Sequence, residues 1–213
     1  MTHIAVIDYG MGNLRSVSKA LEAVAGNFTV EVTSDPERIY SASHIVFPGV
    51  GAIRDCIAEL KRLGLDTVIR DVAKSKPFLG ICLGMQALLS HSEENNGIEG
   101  LGLIDGNVLH FDVPVSGNDE HLKVPHMGWN QVHQTSAHPL WQGIDQDSRF
   151  YFVHCYYVEV EDQAVVAATT EYPNIFTSAV AKDNVFAVQF HPEKSQHAGL
   201  QLLKNFLNWD GQS

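Results

Sequence analysis

Cysteine is scarce in this chain, with Cys56, Cys82 and Cys155 the only three in 213 residues, and none in a Cys-x-x-Cys pair. An odd, scattered set gives neither a disulfide framework nor a zinc pattern, so a reducing, cytoplasmic setting is expected. Basic residues are also few, 14 Lys and Arg against 25 Asp and Glu, for a formal charge of −11. Nothing there supplies the basic stripe that a phosphate backbone requires, and nucleic acid is not an expected partner. Long apolar runs are missing too. The longest, Phe78 to Leu89, is short for a membrane span and is broken by Gln86, so no membrane association is expected. The 11 histidines fall in no His-x-x-x-His or comparable cluster, and no metal site is expected. No basic leader precedes Ile4–Ile7, and no signal peptide is expected. No repeat or linker interrupts the chain, which reads as a single domain over residues 1–213.

The pattern that is present is α/β. In the first half, apolar strands at Ile4–Ile7, Phe28–Val32 and His44–Phe47 alternate with helices. Leu14, Val17, Leu21 and Val24 recur at helical spacing behind Asn13, a candidate cap, and Ile53, Ile57, Leu60 and Leu63 do the same further on. Leu65–Lys74 reads as another helix. Such alternation predicts a parallel sheet covered on both faces. The second half predicts strands in succession at Leu103–Phe111, Gly128–His133, Arg149–Val160, Val165–Glu171 and Thr177–Gln189, the last folded at a two-residue Asp183-Asn184 turn. These add antiparallel strands before a final helix, Gln196–Leu207, with Leu200, Leu203 and Leu207 facing inward. Pro114–Leu122 is the most loop-like stretch. Gly10-Met11-Gly12 opens like a dinucleotide fingerprint, but Arg15 stands where the third glycine belongs, so it reads as a loop entering the first helix.

Gly80-Ile81-Cys82-Leu83-Gly84 carries the chemistry. Pro77-Phe78-Leu79 reads as a strand before it and Leu83–Leu89 as a helix after it, the setting of a nucleophile elbow with cysteine in place of serine. Glycines on both sides make room for a strained turn, and a helix N-terminus favours thiolate over thiol. His191-Pro192-Glu193 offers the partners, a base and a carboxylate to fix its tautomer; Pro192 pushes His191 into extended backbone. Taken alone, a cysteine in such a run is as a rule a buried small hydrophobe, and His-Pro-Glu a loop. Together they read as a catalytic Cys82, His191 and Glu193. Ligands of open α/β sheets bind beyond the carboxyl ends of the strands. Pro48-Gly49-Val50-Gly51 follows the third strand there, so the Val50 and Leu83 N–H groups are the candidate oxyanion donors. A plain turn is the other reading of that segment.

These motifs together resemble the class I, triad-type glutamine amidotransferases. Ile7-Asp8-Tyr9-Gly10-Met11-Gly12-Asn13-Leu14, Pro125-His126-Met127-Gly128-Trp129-Asn130 and Tyr151-Phe152-Val153-His154-Cys155-Tyr156-Tyr157 are similar to segments of their imidazole glycerol phosphate synthase branch. The resemblance covers essentially the whole chain. It implies the amidotransferase fold, a mixed, mainly parallel sheet flanked by helices with antiparallel strands in the C-terminal half. It implies hydrolysis of L-glutamine through a γ-glutamyl thioester on Cys82, with no cofactor. By the same resemblance Gly49, Gly51 and Gln86 lie at the glutamine, and the backbone of Cys155 and Tyr156 holds its α-carboxylate. The implied partner is a (β/α)8-barrel cyclase, in a heterodimer, which receives the ammonia for histidine biosynthesis. Cys155 departs from the pattern, since relatives usually carry serine there. An amidotransferase serving another synthase, such as one amidating a surface sugar, and a silent scaffold are the alternatives.

Overall fold

The computed structural model describes residues 2–112 and 123–212; the Pro114–Leu122 stretch falls outside them. Along β1 (His3–Ile7), Ala5 and Ile7 join the core on one side of the sheet, and Ile4 and Val6 join the core on the other. Strand residues alternate faces, so a continuous apolar run means that both faces are covered. α1 (Leu14–Val24) buries Val17, Ala20 and Leu21, though the Asn13 side chain before it makes no capping bond. β2 (Thr29–Thr33) lies parallel to β1. α2 (Pro36–Ser41) was not anticipated, although Asp35 and Pro36 signal it. The Asp35 carboxylate accepts the Glu37 N–H at 2.9 Å, and proline suits a first helical position. β3 (His44–Gly49) follows, then α3 (Ile53–Leu63), closed by Gly64 in left-handed backbone, and α4 (Leu65–Val72).

β4 (Phe78–Cys82) runs parallel beside β3 and delivers Cys82 at its carboxyl end. The helix expected over Leu83–Leu89 is shorter: α5 spans Leu83–Ala87, and β5 (Leu89–Ser92) begins at once. The physical reason is capture of its last carbonyls, since Ala87 and Leu88 accept the N–H groups of Leu101 and Leu103 at 2.8 and 2.9 Å. β6 (Ile98–Glu99) and β7 (Ile104–His110) extend that side.

The stretch read as one strand over Gly128–His133 divides into β8 (His126–Gln131) and β9 (His133–Gln134). The long strand expected over Arg149–Val160 also breaks. β10 (Arg149–His154) pairs antiparallel with β8 in a separate two-stranded sheet, whereas β11 (Tyr156–Val160) joins β7 in the main sheet. Cys155 is the residue at which the chain changes sheets. β12 (Val166–Glu171), β13 (Ile175–Lys182) and β14 (Val185–Val188) complete the main sheet, with Asp183-Asn184 turning the β13–β14 hairpin as predicted. β14 pairs parallel with β4, so the strand that ends at Cys82 lies between two parallel neighbours. α6 (Gln196–Asn208) packs against α1 and buries Leu202, Leu203, Phe206 and Leu207. Leu200, expected inward, is only half-buried, because Phe206 and Leu202 occupy the centre of the stripe. Each fully buried Leu or Phe there contributes about 1.5–3 kcal/mol.

Candidate active site

Cys82 has φ 55° and ψ −110°, backbone that a β-carbon disfavours. Such a residue costs about 1–3 kcal/mol and persists only where its surroundings over-determine it. Here they do. A β-carbon on Gly84 would fall on the Phe47 carbonyl of β3, and one on Gly80 would stand 3.0 Å from the β-carbon of Ala187 on β14. Side chains at either position would prise the elbow from the sheet. The cysteine itself is buried, 6% exposed.

His191 is held to β10 by its own backbone. Its N–H donates to the Tyr151 carbonyl at 2.9 Å, and its carbonyl accepts the Ser195 hydroxyl at 2.6 Å. Its backbone is extended, φ −104° and ψ 96°, as Pro192 requires. Glu193 reaches it by a 3-10 turn over Pro192–Lys194 rather than along a continued strand. Nδ1 of His191 lies 2.8 Å from Oε1 of Glu193, and both side chains are sealed, 2% and 0% exposed. A carboxylate only accepts, so the proton sits on Nδ1 and Nε2 is left for the sulfur. Among the described residues Nε2 is buried without a hydrogen-bond partner. Burial alone lowers the imidazole pKa; the Cys82 sulfur, then the Glu193 carboxylate, outweigh it and raise it to about 10. Asn13, expected as a helix cap, instead donates its side-chain N–H to Glu193 Oε1 at 3.1 Å.

A cavity of about 350 Å³ opens at the sulfur. The turn after β3 contributes Val50 and Gly51, the elbow contributes Cys82, Leu83 and Gln86, and the sheet change contributes Cys155 and Tyr156. Gly49 lies beneath this wall. A β-carbon there would collide with the Tyr9 hydroxyl and stand 2.9 Å from that of Leu83. A roomier cleft of about 510 Å³ elsewhere is bordered by His133, Asp147 and Tyr172, but among the described residues no cysteine or serine faces it. Among the described residues no three His, Cys, Asp or Glu side chains are grouped to hold a metal ion.

The chain matches the family model "Glutamine amidotransferase class-I" over residues 5–209. It is 61% identical to the imidazole glycerol phosphate synthase subunit HisH of Nitrosococcus oceani, over 213 residues and the full length of both. The corresponding subunit of Acinetobacter baylyi is 59% identical over 211 residues, 99% of this chain and 100% of that one. PurLQS from Thermotoga maritima is similar in structure, with a TM-score of 0.73 at 19% identity, over 97% of this chain and 98% of that one; this likeness bears on the fold alone. The chain belongs to the class-I glutamine amidotransferases, among the HisH subunits.

Besides Asn13, three residues of this amidotransferase site escaped the sequence reading. Gln189 donates from its side-chain amide to the Cys82 sulfur at 3.6 Å; its signal was a lone polar residue in the apolar run Val185–Phe190. His154 lines the cavity and bonds through Nδ1 to the Tyr156 carbonyl at 2.8 Å. Glu94 also lines it, and its Oε2 accepts the Ile53 N–H at 3.2 Å at the start of α3. Nothing in the spacing marked Glu94. Burial, and then the Glu94 charge, pushes the Cys155 thiol above its ordinary pKa, so this second cysteine is a poor competitor for the role of nucleophile. No helix among the described residues is long and apolar enough to cross a membrane.

Proposed function

We propose that the chain hydrolyses glutamine at Cys82 and hands the ammonia to a synthase partner. Cys82, as the thiolate whose proton His191 already holds, attacks the side-chain amide carbon. His191 then protonates the departing ammonia as the tetrahedral species collapses to a γ-glutamyl thioester. Water, deprotonated by His191, opens the thioester and releases glutamate. Glu193 holds the imidazole in one tautomer throughout, and the Val50 and Leu83 N–H groups receive the oxyanion; one such donor is worth about 3–4 kcal/mol. Gly49 and Gly51 keep that turn open to the substrate, and Gln86 with the backbone of Cys155 and Tyr156 holds the far end. Glu94, the one carboxylate lining the cavity among the described residues, would pair with the α-ammonium group.

The observation that carries this reading is a strained, buried cysteine that lines a cavity of about 350 Å³ and interacts with a sealed His191–Glu193 pair. The HisH relatives are subunits of imidazole glycerol phosphate synthase, which supports as partner a (β/α)8-barrel cyclase in a heterodimer. Three free cysteines suit a cytoplasmic location. The family match over residues 5–209 supports one domain. An electrophilic glutamine analogue should add one equivalent of mass to Cys82, located by peptide mapping. Label on Cys155 with Cys82 unmodified would overturn the assignment.

A further inference from the structure

The mechanism above leaves Gln189 unused, yet this residue is fully buried and its amide reaches the nucleophile. Its orientation is fixed by a chain of hydrogen bonds that ends on backbone carbonyls. The Tyr156 carbonyl can only accept, so the Gln86 atom 2.9 Å from it is the nitrogen, Nε2. The same Nε2 lies 3.0 Å from Gln189, whose facing atom must then be the oxygen. That leaves the Gln189 N–H group to face the sulfur. The same carbonyl takes the Nδ1 proton of His154, so His154 Nε2 accepts from Nδ1 of His126 at 2.9 Å. Nε2 of His126 accepts in turn from Asn130, whose nitrogen also donates to the Glu171 carbonyl at 3.0 Å. Carbonyls at both ends leave each amide and each ring one arrangement.

We propose that Gln189 is a further catalytic residue of the glutaminase reaction, a fixed N–H donor to the Cys82 sulfur. The inference rests on the proposed function. With the thiol proton on His191, charge sits on a sulfur that has little water around it. The Gln189 N–H meets that charge without reorganisation and holds the sulfur on its line of attack. In the thioester the sulfur is neutral and the bond slackens; it tightens again as the sulfur leaves glutamate. Hydrogen bonds to charged groups contribute about 1.5–3 kcal/mol, about 10- to 100-fold in rate.

Two variants separate a donor from a space-filler. Gln189→Met keeps the volume and removes the donor; Gln189→Glu keeps the shape and the bond from Gln86, but turns a carboxylate oxygen toward the sulfur. Gln189→Met should lower kcat for glutamine about 10-fold and Gln189→Glu more, both with KM within about threefold. Alkylation of Cys82 by iodoacetamide, a small reagent that needs no glutamine subsite, should slow in the same order. Ammonium-dependent synthesis by the reconstituted complex should be unchanged, showing that the variants fold and dock. A wild-type alkylation rate in folded Gln189→Met overturns the inference even if Gln189→Glu fails to fold. If wild-type Cys82 takes no label from the glutamine analogue, the proposed function falls; if it does and the variants react like wild type, only this inference falls.

Discussion

Glu193 has no exposed side-chain surface, and one of its oxygens, Oε2, finds no partner among the described residues. Burying a carboxylate this way is unfavourable unless its other contacts are strong, and here Oε1 has two, from His191 and from Asn13. Asn13 therefore belongs to the site although it sits at a helix start. Sequence favours reading asparagine there as a cap, because capping is local and the Glu193 contact spans 180 positions. Removing the carboxylate charge and removing the base should differ. Glu193→Gln takes away charge support and the preferred acceptor, whereas His191→Ala takes away the proton carrier. Glutaminase kcat should fall well below wild type in Glu193→Gln and further still in His191→Ala. Wild-type turnover in His191→Ala would end the triad assignment.

The elbow is an element built from two neighbouring strands. Gly84 is glycine because α5 crosses the Phe47 carbonyl so closely that a methyl group has no place. Gly84→Ala should therefore destabilise the fold by about 1–3 kcal/mol in urea denaturation and abolish glutaminase activity by displacing Cys82. Stability and activity near wild type would show that the contact relaxes cheaply. The elbow was legible in the sequence because glycine spacing, apolar strand and cysteine are contiguous, as was the Asp183-Asn184 hairpin. The change of sheet at Cys155 was not. β10 and β11 are each good strands in an unbroken run with no glycine or proline between them, so only their partners, β8 and β7, reveal the break. The short α5 was hidden likewise, since its end is set by the Leu101 and Leu103 N–H groups from outside the run.

Over the whole molecule, four buried histidines, His44, His126, His138 and His154, lie below their ordinary pKa and contribute to the response to acid. Burial holds His126 and His138 at about 4 and His154 at about 3, all below the ordinary 6.5. The unfolded chain thus binds more protons between these values, so what these histidines contribute to stability is full above about pH 6.5 and is lost as pH falls toward 4, whereas the contribution of His191, raised to about 10, is lost as pH climbs toward that value. Melting temperature should drop across the acid window. His138→Asn, which keeps an acceptor for the Leu140 N–H now bound at 3.2 Å, should flatten the drop. An unchanged slope would assign the acid response to other groups. The other property of the whole molecule is that the reaction proposed for it divides in two, nitrogen released here and used in a partner. Product formation by the reconstituted synthase, wild type against Cys82→Ser, with glutamine or with ammonium as the nitrogen source, tests that division most directly. The account predicts that Cys82→Ser loses nearly all glutamine-dependent synthesis and keeps the ammonium-dependent rate. Equal loss of both in a folded complex, or glutamine-dependent synthesis undiminished in Cys82→Ser, would contradict it.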